Sequence, residues 1–179
     1  VAFDIATLVD NGENVATQPF FAFNISSDGT SFLGVTTTNF LLDGTLSTPW
    51  DISTLTLNIA GLQSVPGVNF MQVRHDDNTK IYLGADDVVT QHTLGTAWDA
   101  DTLGAADATV DLGTISGESI TFDFMINNDG AGLYAFQNSN IRKFPMSTSW
   151  DLTTLTYDNT QVLDAPTEAS LTDSPSTLF

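Results

Sequence analysis

The side chains able to do acid–base or nucleophilic chemistry are unevenly supplied. The 179-residue chain holds 22 Asp and Glu, 2 His and no Cys. Without thiols, disulfide exchange, thiolate catalysis and Cys-containing zinc sites are excluded. His75-Asp76-Asp77 carries two members of a hydrolytic relay, in which a carboxylate orients an imidazole. No Gly-x-Ser-x-Gly elbow supplies the nucleophile. His92 falls in an alternating run, where a surface or hydrogen-bonded imidazole is expected. Paired carboxylates cleave glycosidic bonds, but Asp is so abundant that spacing singles out no pair. No Gly-rich loop with a Lys is present to cradle phosphate. Asp76-Asp77 and Asp86-Asp87 offer oxygens to Ca²⁺, yet neither follows the EF-hand order, and solvated acidic turns are the simpler reading. The sequence therefore assigns no catalytic, cofactor-binding or metal-binding residue, and a non-enzymatic role is expected.

Charge narrows the partners. Four Lys and Arg against 22 acids give a formal net charge of −18. Nucleic acid needs clustered cations, and anionic membrane surfaces attract them, so both are poor partners. An acidic surface keeps the protein soluble and draws cations. Apolar residues at 41% with only 15% charged residues indicate a packed domain rather than a disordered chain. No apolar run reaches the 18 residues of a membrane-spanning helix, and no signal-peptide pattern is visible.

What the sequence does repeat is a phrase. Trp50-Asp51-Ile52-Ser53-Thr54-Leu55 recurs as Trp98-Asp99-Ala100-Asp101-Thr102-Leu103 and Trp150-Asp151-Leu152-Thr153-Thr154-Leu155. Phe3-Asp4-Ile5-Ala6-Thr7-Leu8 is a fourth copy, and the successive intervals between residues 3, 50, 98 and 150 are 47, 48 and 52 residues. A constant period of this size marks a repeat array. Each unit places alternating apolar runs around an Asp- or Asn-rich turn, as in 20–25, Ser27-Asp28-Gly29-Thr30 and 31–35, followed by 39–46. Such runs read as short strands joined by tight turns, with Asp-Gly favouring a type I′ hairpin. A further strand follows each Trp, after at most one 3₁₀ turn. Four antiparallel strands per unit predict an all-β, propeller-like array of blades 47–52 residues long. The units fall at 20–59, 68–112 and 118–160, with 1–10 a last strand and 168–179 the start of a further blade. The chain then stops mid-blade. It also begins at Val1 without Met, and it reads as a piece of a longer array, with four-blade closure or closure between two chains as alternatives.

The repeated Trp is expected to pack between neighbouring blades, the alternative being a sugar-binding platform. The following Asp, and the hydroxyls of Ser47, Thr48, Thr96, Ser147 and Thr148, are expected to accept backbone N–H bonds. The Trp-Asp dipeptide resembles WD40 repeats only in passing, since no Gly-His precedes it and Leu46-Ser47-Thr48-Pro49 reads as a loop. Ser27-Asp28-Gly29-Thr30 with Leu46-Ser47-Thr48-Pro49-Trp50-Asp51-Ile52-Ser53-Thr54 is similar to a blade repeat of tail-fibre and other virion proteins of tailed phages, and of some secreted bacterial proteins. The resemblance implies a virion structural or host-surface-binding component: a tail fibre, spike or capsid decoration. Its partners would be other virion proteins, copies of itself, or a host glycan or protein. A secreted or cell-surface bacterial binding propeller is the second reading, and a glycan-cleaving tailspike-type enzyme the third.

Overall fold

The computed structural model describes residues 19–74, 78–117, 120–137, 140–157 and 162–164. The expected segments 1–10 and 168–179, and His75-Asp76-Asp77, lie outside them. The described chain is all-β and forms three antiparallel sheets in sequence order. The first comprises β1 (Phe20–Ile25), β2 (Ser31–Thr36), β3 (Phe40–Leu46), β4 (Leu55–Leu57) and β5 (Gln63–Ser64). The second comprises β6 (Phe70–Val73), β7 (Lys80–Ala85), β8 (Val88–Leu94) and β9 (Leu103–Asp111). The third comprises β10 (Ile120–Ile126), β11 (Gly132–Gln137), β12 (Asn140–Pro145) and β13 (Val162–Asp164). Each sheet is a meander whose neighbours in sequence are neighbours in space, except that β5 folds back onto the free stretch of β3.

Strand alternation gives every sheet two faces. The front face of the first sheet carries Phe32, Leu42 and Leu46, and its back face carries Leu33, Val35 and Leu41. That back face packs on the front of the second sheet, on Ile81, Leu83 and Leu94. The back of the second sheet, with Tyr82 and Val89, packs on the front of the third, with Leu133, Ala135, Phe144 and Met146. The core is thus two interleaved layers between three sheets. Burial of these side chains, at about 25 cal/mol per Å², is what holds the stack.

Several local expectations change. In the Ser27–Thr30 turn only Gly29 has positive φ, so the hairpin is not type I′. Ser26 and Asp28 close the loop instead: the backbone N–H of Ser31 donates to Ser26 Oγ (2.8 Å), and the Ser26 hydroxyl donates to the Asp28 carboxylate (2.5 Å). The one α-helix among the described residues, α1 (Leu112–Ser116), has no helical periodicity in sequence. It is a single capped turn, with Asp111 accepting from the backbone N–H of Thr114 at 2.8 Å. In the third sheet the fourth strand comes later than in the others. Pro145 has no N–H, so only a bridge between Met146 and Leu155 forms where β3 pairs with β4.

Candidate functional site

The repeated phrase folds the same way three times. In each copy the Trp adopts positive φ, at 64° for Trp50, 62° for Trp98 and 63° for Trp150. A bulky residue is rarely found there. The ring lies over the preceding turn: a Cβ at Gly29 would meet Trp50 Cδ1 at 2.4 Å, and one at Gly130 would meet Trp150 Cδ1 at 2.4 Å. Glycine is required at those two positions both for this approach and for its own positive φ. A 3₁₀ turn follows each Trp, at Ile52–Thr54, Ala100–Thr102 and Leu152–Thr154.

The Asp caps that turn, as expected. Asp51, Asp99 and Asp151 accept from the backbone N–H two residues on, at 3.1, 3.1 and 2.9 Å. The hydroxyl that ties the loop together is not the one before the Trp but the one after the Asp. Thr54 Oγ1 donates to the Asp51 carbonyl (2.8 Å) and accepts from the Thr48 N–H (3.1 Å). Thr102 and Thr154 repeat both bonds with Asp99 and Thr96, and with Asp151 and Thr148. Ser47, Thr48, Thr96, Ser147 and Thr148 contribute backbone groups. Their expected hydroxyl role passes to the later Thr because only it reaches across the loop.

The second and third turns each dock on the sheet before them. Trp98 packs against the core between the first and second sheets, and Trp150 is buried at 4% exposure between the second and third. The Ala100 N–H donates to Asp43 of β3 (3.3 Å), and the Leu152 N–H donates to Gln91 of β8 (3.0 Å). The two acceptors occupy equivalent places, opposite Leu33 and Tyr82 on the neighbouring strands. An amide on the first strand completes the joint. Asn24 donates to the Met71 carbonyl (3.2 Å) and accepts from the Val73 N–H (3.4 Å). Gln72 donates to the Ile126 carbonyl (2.8 Å) and accepts from the Ile126 N–H (2.6 Å). At the second joint the Tyr82 hydroxyl also donates to the Trp150 carbonyl at 2.7 Å.

Among the described residues carboxylates meet at one point, and it is a joint. Asp43, Asp99 and Asp101 bring oxygens within 4.8 Å of one another. Partial burial pushes the Asp43 carboxyl above its ordinary range, the Ala100 N–H pulls it back, and the charges of Asp99 and Asp101 push it up again. Three carboxylates could contribute half the shell of a Ca²⁺ ion. Asp86-Asp87, the described pair singled out from sequence, is not part of this group. Asp43 was not singled out; its only signal is a charge at an inward position of the alternating run Phe40–Leu46. By contrast, the Ser26 hydroxyl holds Asp28 below the usual carboxylate range, and the Thr153 hydroxyl does the same for Asp151.

His92 is hydrogen-bonded at both ring nitrogens, to the Gly104 carbonyl and the Thr90 hydroxyl, each at 3.0 Å. It lines a cavity of about 470 Å³ beside β5 and β9, whose wall includes no carboxylate. Acid–base chemistry there would rest on a single, fully engaged imidazole.

No protein-family model and no curated protein matches the sequence. Solved structures do. Hsv2 of Kluyveromyces lactis superposes with a TM-score of 0.50 at 12% identity, covering 83% of this chain and 37% of that one. The same protein with its loop 6CD replaced by a Gly-Ser linker gives a TM-score of 0.49 at 11% identity, covering 83% and 40%. Hsv2 of Kluyveromyces marxianus gives 0.47 at 11% identity, again covering 83% and 40%. The chain therefore spans about two fifths of the length of these structures, and the likeness is one of fold.

Proposed function

We propose that the three sheets are consecutive blades of a propeller-like array, and that the chain serves as a non-enzymatic virion component, a tail fibre, spike or capsid decoration that builds the particle or contacts a host surface. One observation carries the reading. The repeated residues spend their functional groups on joints between sheets: Trp as wedge, Asp as cap, Thr as tie, and an Asn, Gln or Asp on the preceding sheet as receiver. A residue repeated for docking is scaffold, and function in such arrays is carried by variable loops at one end of the blades. The likeness to Hsv2, a β-propeller protein, supports the blade reading. The phage-like repeat supports the virion reading.

The test has three arms. Antibody raised against the chain labels intact particles purified from its source. Immobilised protein is probed with cell-surface glycans and proteins. Reducing ends are counted after incubation with polysaccharide. The reading expects particle labelling or surface capture with no new reducing ends. Glycan cleavage abolished by a single Asp or Glu substitution would overturn it in favour of the tailspike-type enzyme. Capture without particle labelling would favour the secreted binding propeller.

A further inference from the structure

The two joints inside the chain repeat each other closely, so a difference between them is informative. At the second joint the front of the third sheet fills the seam with three large side chains. Phe144 is fully buried and Arg142 is 7% exposed. The Phe144 ring lies 5.4 Å from the Tyr157 ring. The Arg142 guanidinium donates to the Tyr157 hydroxyl and sits 5.8 Å from the centre of that ring.

Counting from the Trp of each phrase gives the counterparts in the second sheet. Phe144 stands six residues before Trp150, and His92 six before Trp98. Arg142 and Thr90 each stand eight before, and Tyr157 and Ala105 each stand seven after. Register agrees. Leu133 pairs with Phe144 as Ile81 pairs with His92, and Ala135 pairs with Arg142 as Leu83 pairs with Thr90. At the joint between the first and second sheets, an imidazole, a hydroxyl and a methyl therefore replace a phenyl, a guanidinium and a phenol.

The seam does not close over the difference. The cavity of about 470 Å³ stands there, walled by Val65, Leu83, Val88 and Leu103 together with Thr90 and His92. Apolar walls facing a void forfeit their contacts, and this void is in the size range of small-ligand sites. Its polar groups are few. Thr90 and His92 bond each other at 3.0 Å. The Gln63 amide and the Ser64 hydroxyl also line the cavity, and these side chains make no hydrogen bond among the described residues. The wall holds no carboxylate, ammonium or guanidinium, so nothing in it neutralises an ionic guest. The net charge of −18 further opposes an anion.

We propose that this cavity binds a small uncharged aromatic molecule with one hydroxyl or amide-type substituent, in the place that the Phe144–Tyr157 pair occupies at the next joint. The ring lies against Leu83, Val88 and Leu103, and the substituent bonds Gln63 or Ser64. The guest completes the joint, so binding also stabilises the contact between the first and second sheets. A pyranose suits the site less. No Trp, Tyr or Phe in the wall offers it a platform, and the aliphatic side chains would strip its hydroxyls of water.

2-Naphthol is the probe, titrated into methyl-labelled protein and followed by NMR. Saturable one-to-one binding is expected, with shifts at the methyls of Val65, Leu83, Val88 and Leu103. 2-Naphthoate, a similar ring carrying a negative charge, should bind at least about tenfold more weakly. Methyl glucoside should give no saturable shift. His92→Phe with Ala105→Tyr rebuilds the filling of the second joint and should weaken 2-naphthol at least about tenfold. Ala105 is exposed at the rim, so Ala105→Leu alone serves if the double variant loses the native spectrum. No saturable binding of 2-naphthol, shifts confined to other methyls, or undiminished affinity in a folded filled variant would overturn the proposal. So would tighter binding of methyl glucoside or 2-naphthoate. Nuclear Overhauser contacts in the free protein, from Leu83 and Leu103 to another segment of the chain lying in the cavity, would overturn it as well.

Discussion

At the residue scale, the three Trp-Asp turns are one device in three surroundings, and substitutions should separate the device from the surroundings. Trp150→Ala empties a buried site and is expected to cost about 3–5 kcal/mol, whereas Trp50→Ala removes an exposed ring and should cost under about 1 kcal/mol. Urea denaturation of the two variants measures the difference. Thr154→Val removes a hydroxyl that both donates and accepts within the loop. It should cost about 0.5–1.5 kcal/mol, the net worth of such bonds where water can reach the exposed Thr148 N–H. Asp43 gives the pH prediction. Its folded carboxyl is pushed above the ordinary range, chiefly by burial, so the folded state holds the proton more tightly than the unfolded chain does. Stability from this group is therefore present at low pH and is lost as pH rises through the raised range. Asp43→Asn keeps an oxygen for the Ala100 N–H, as Gln91 does for Leu152. It should stabilise the protein at pH 7, by under about 1 kcal/mol given solvent screening, and the gain should vanish in acid. Asp28 and Asp151 act in the opposite sense, since their lowered carboxyls lend stability that fades as pH falls below the ordinary range.

At the element scale, the sheets are joined through first-strand amides as well as through turns. Gln72→Leu breaks the pair of bonds to Ile126 and should cost about 1–3 kcal/mol, with hydrogen exchange at the Ile126 amide accelerated more than exchange within β7 or β8. Much of this level was legible. Alternation and turn residues place β1–β3, β6–β8 and β10–β12, because those runs bury one set of side chains and expose or share the other. The 3₁₀ turns after Trp were legible from the same phrase. What was not legible has physical causes. β5 is two residues long and pairs only because β3 outruns β4. Helix α1 is one turn, too short for a helical period to show. Pro145 interrupts a ladder whose existence is known only once β12 has a neighbour. The receivers Asn24, Asp43 and Gln72 are single polar residues in apolar runs, and Gln91 sits among Thr90, His92 and Thr93; sequence reads such residues as solvent-facing until the next sheet is placed against them.

At the scale of the whole molecule, the stack has a direction. Every internal joint sets a back face against the next front face. This explains where the acids cluster, since the Asp of each Trp-Asp turn is drawn to a seam whether or not the receiver is itself acidic. The central claim is that the Trp of the repeat is a wedge between sheets and not a binding platform. Acrylamide quenching of single-Trp variants, with the other two Trp replaced by Phe, measures this. Trp150 should emit at short wavelength and resist quenching, Trp98 should be intermediate, and Trp50 should be quenched freely. Equal quenching of Trp50 and Trp150 would contradict it.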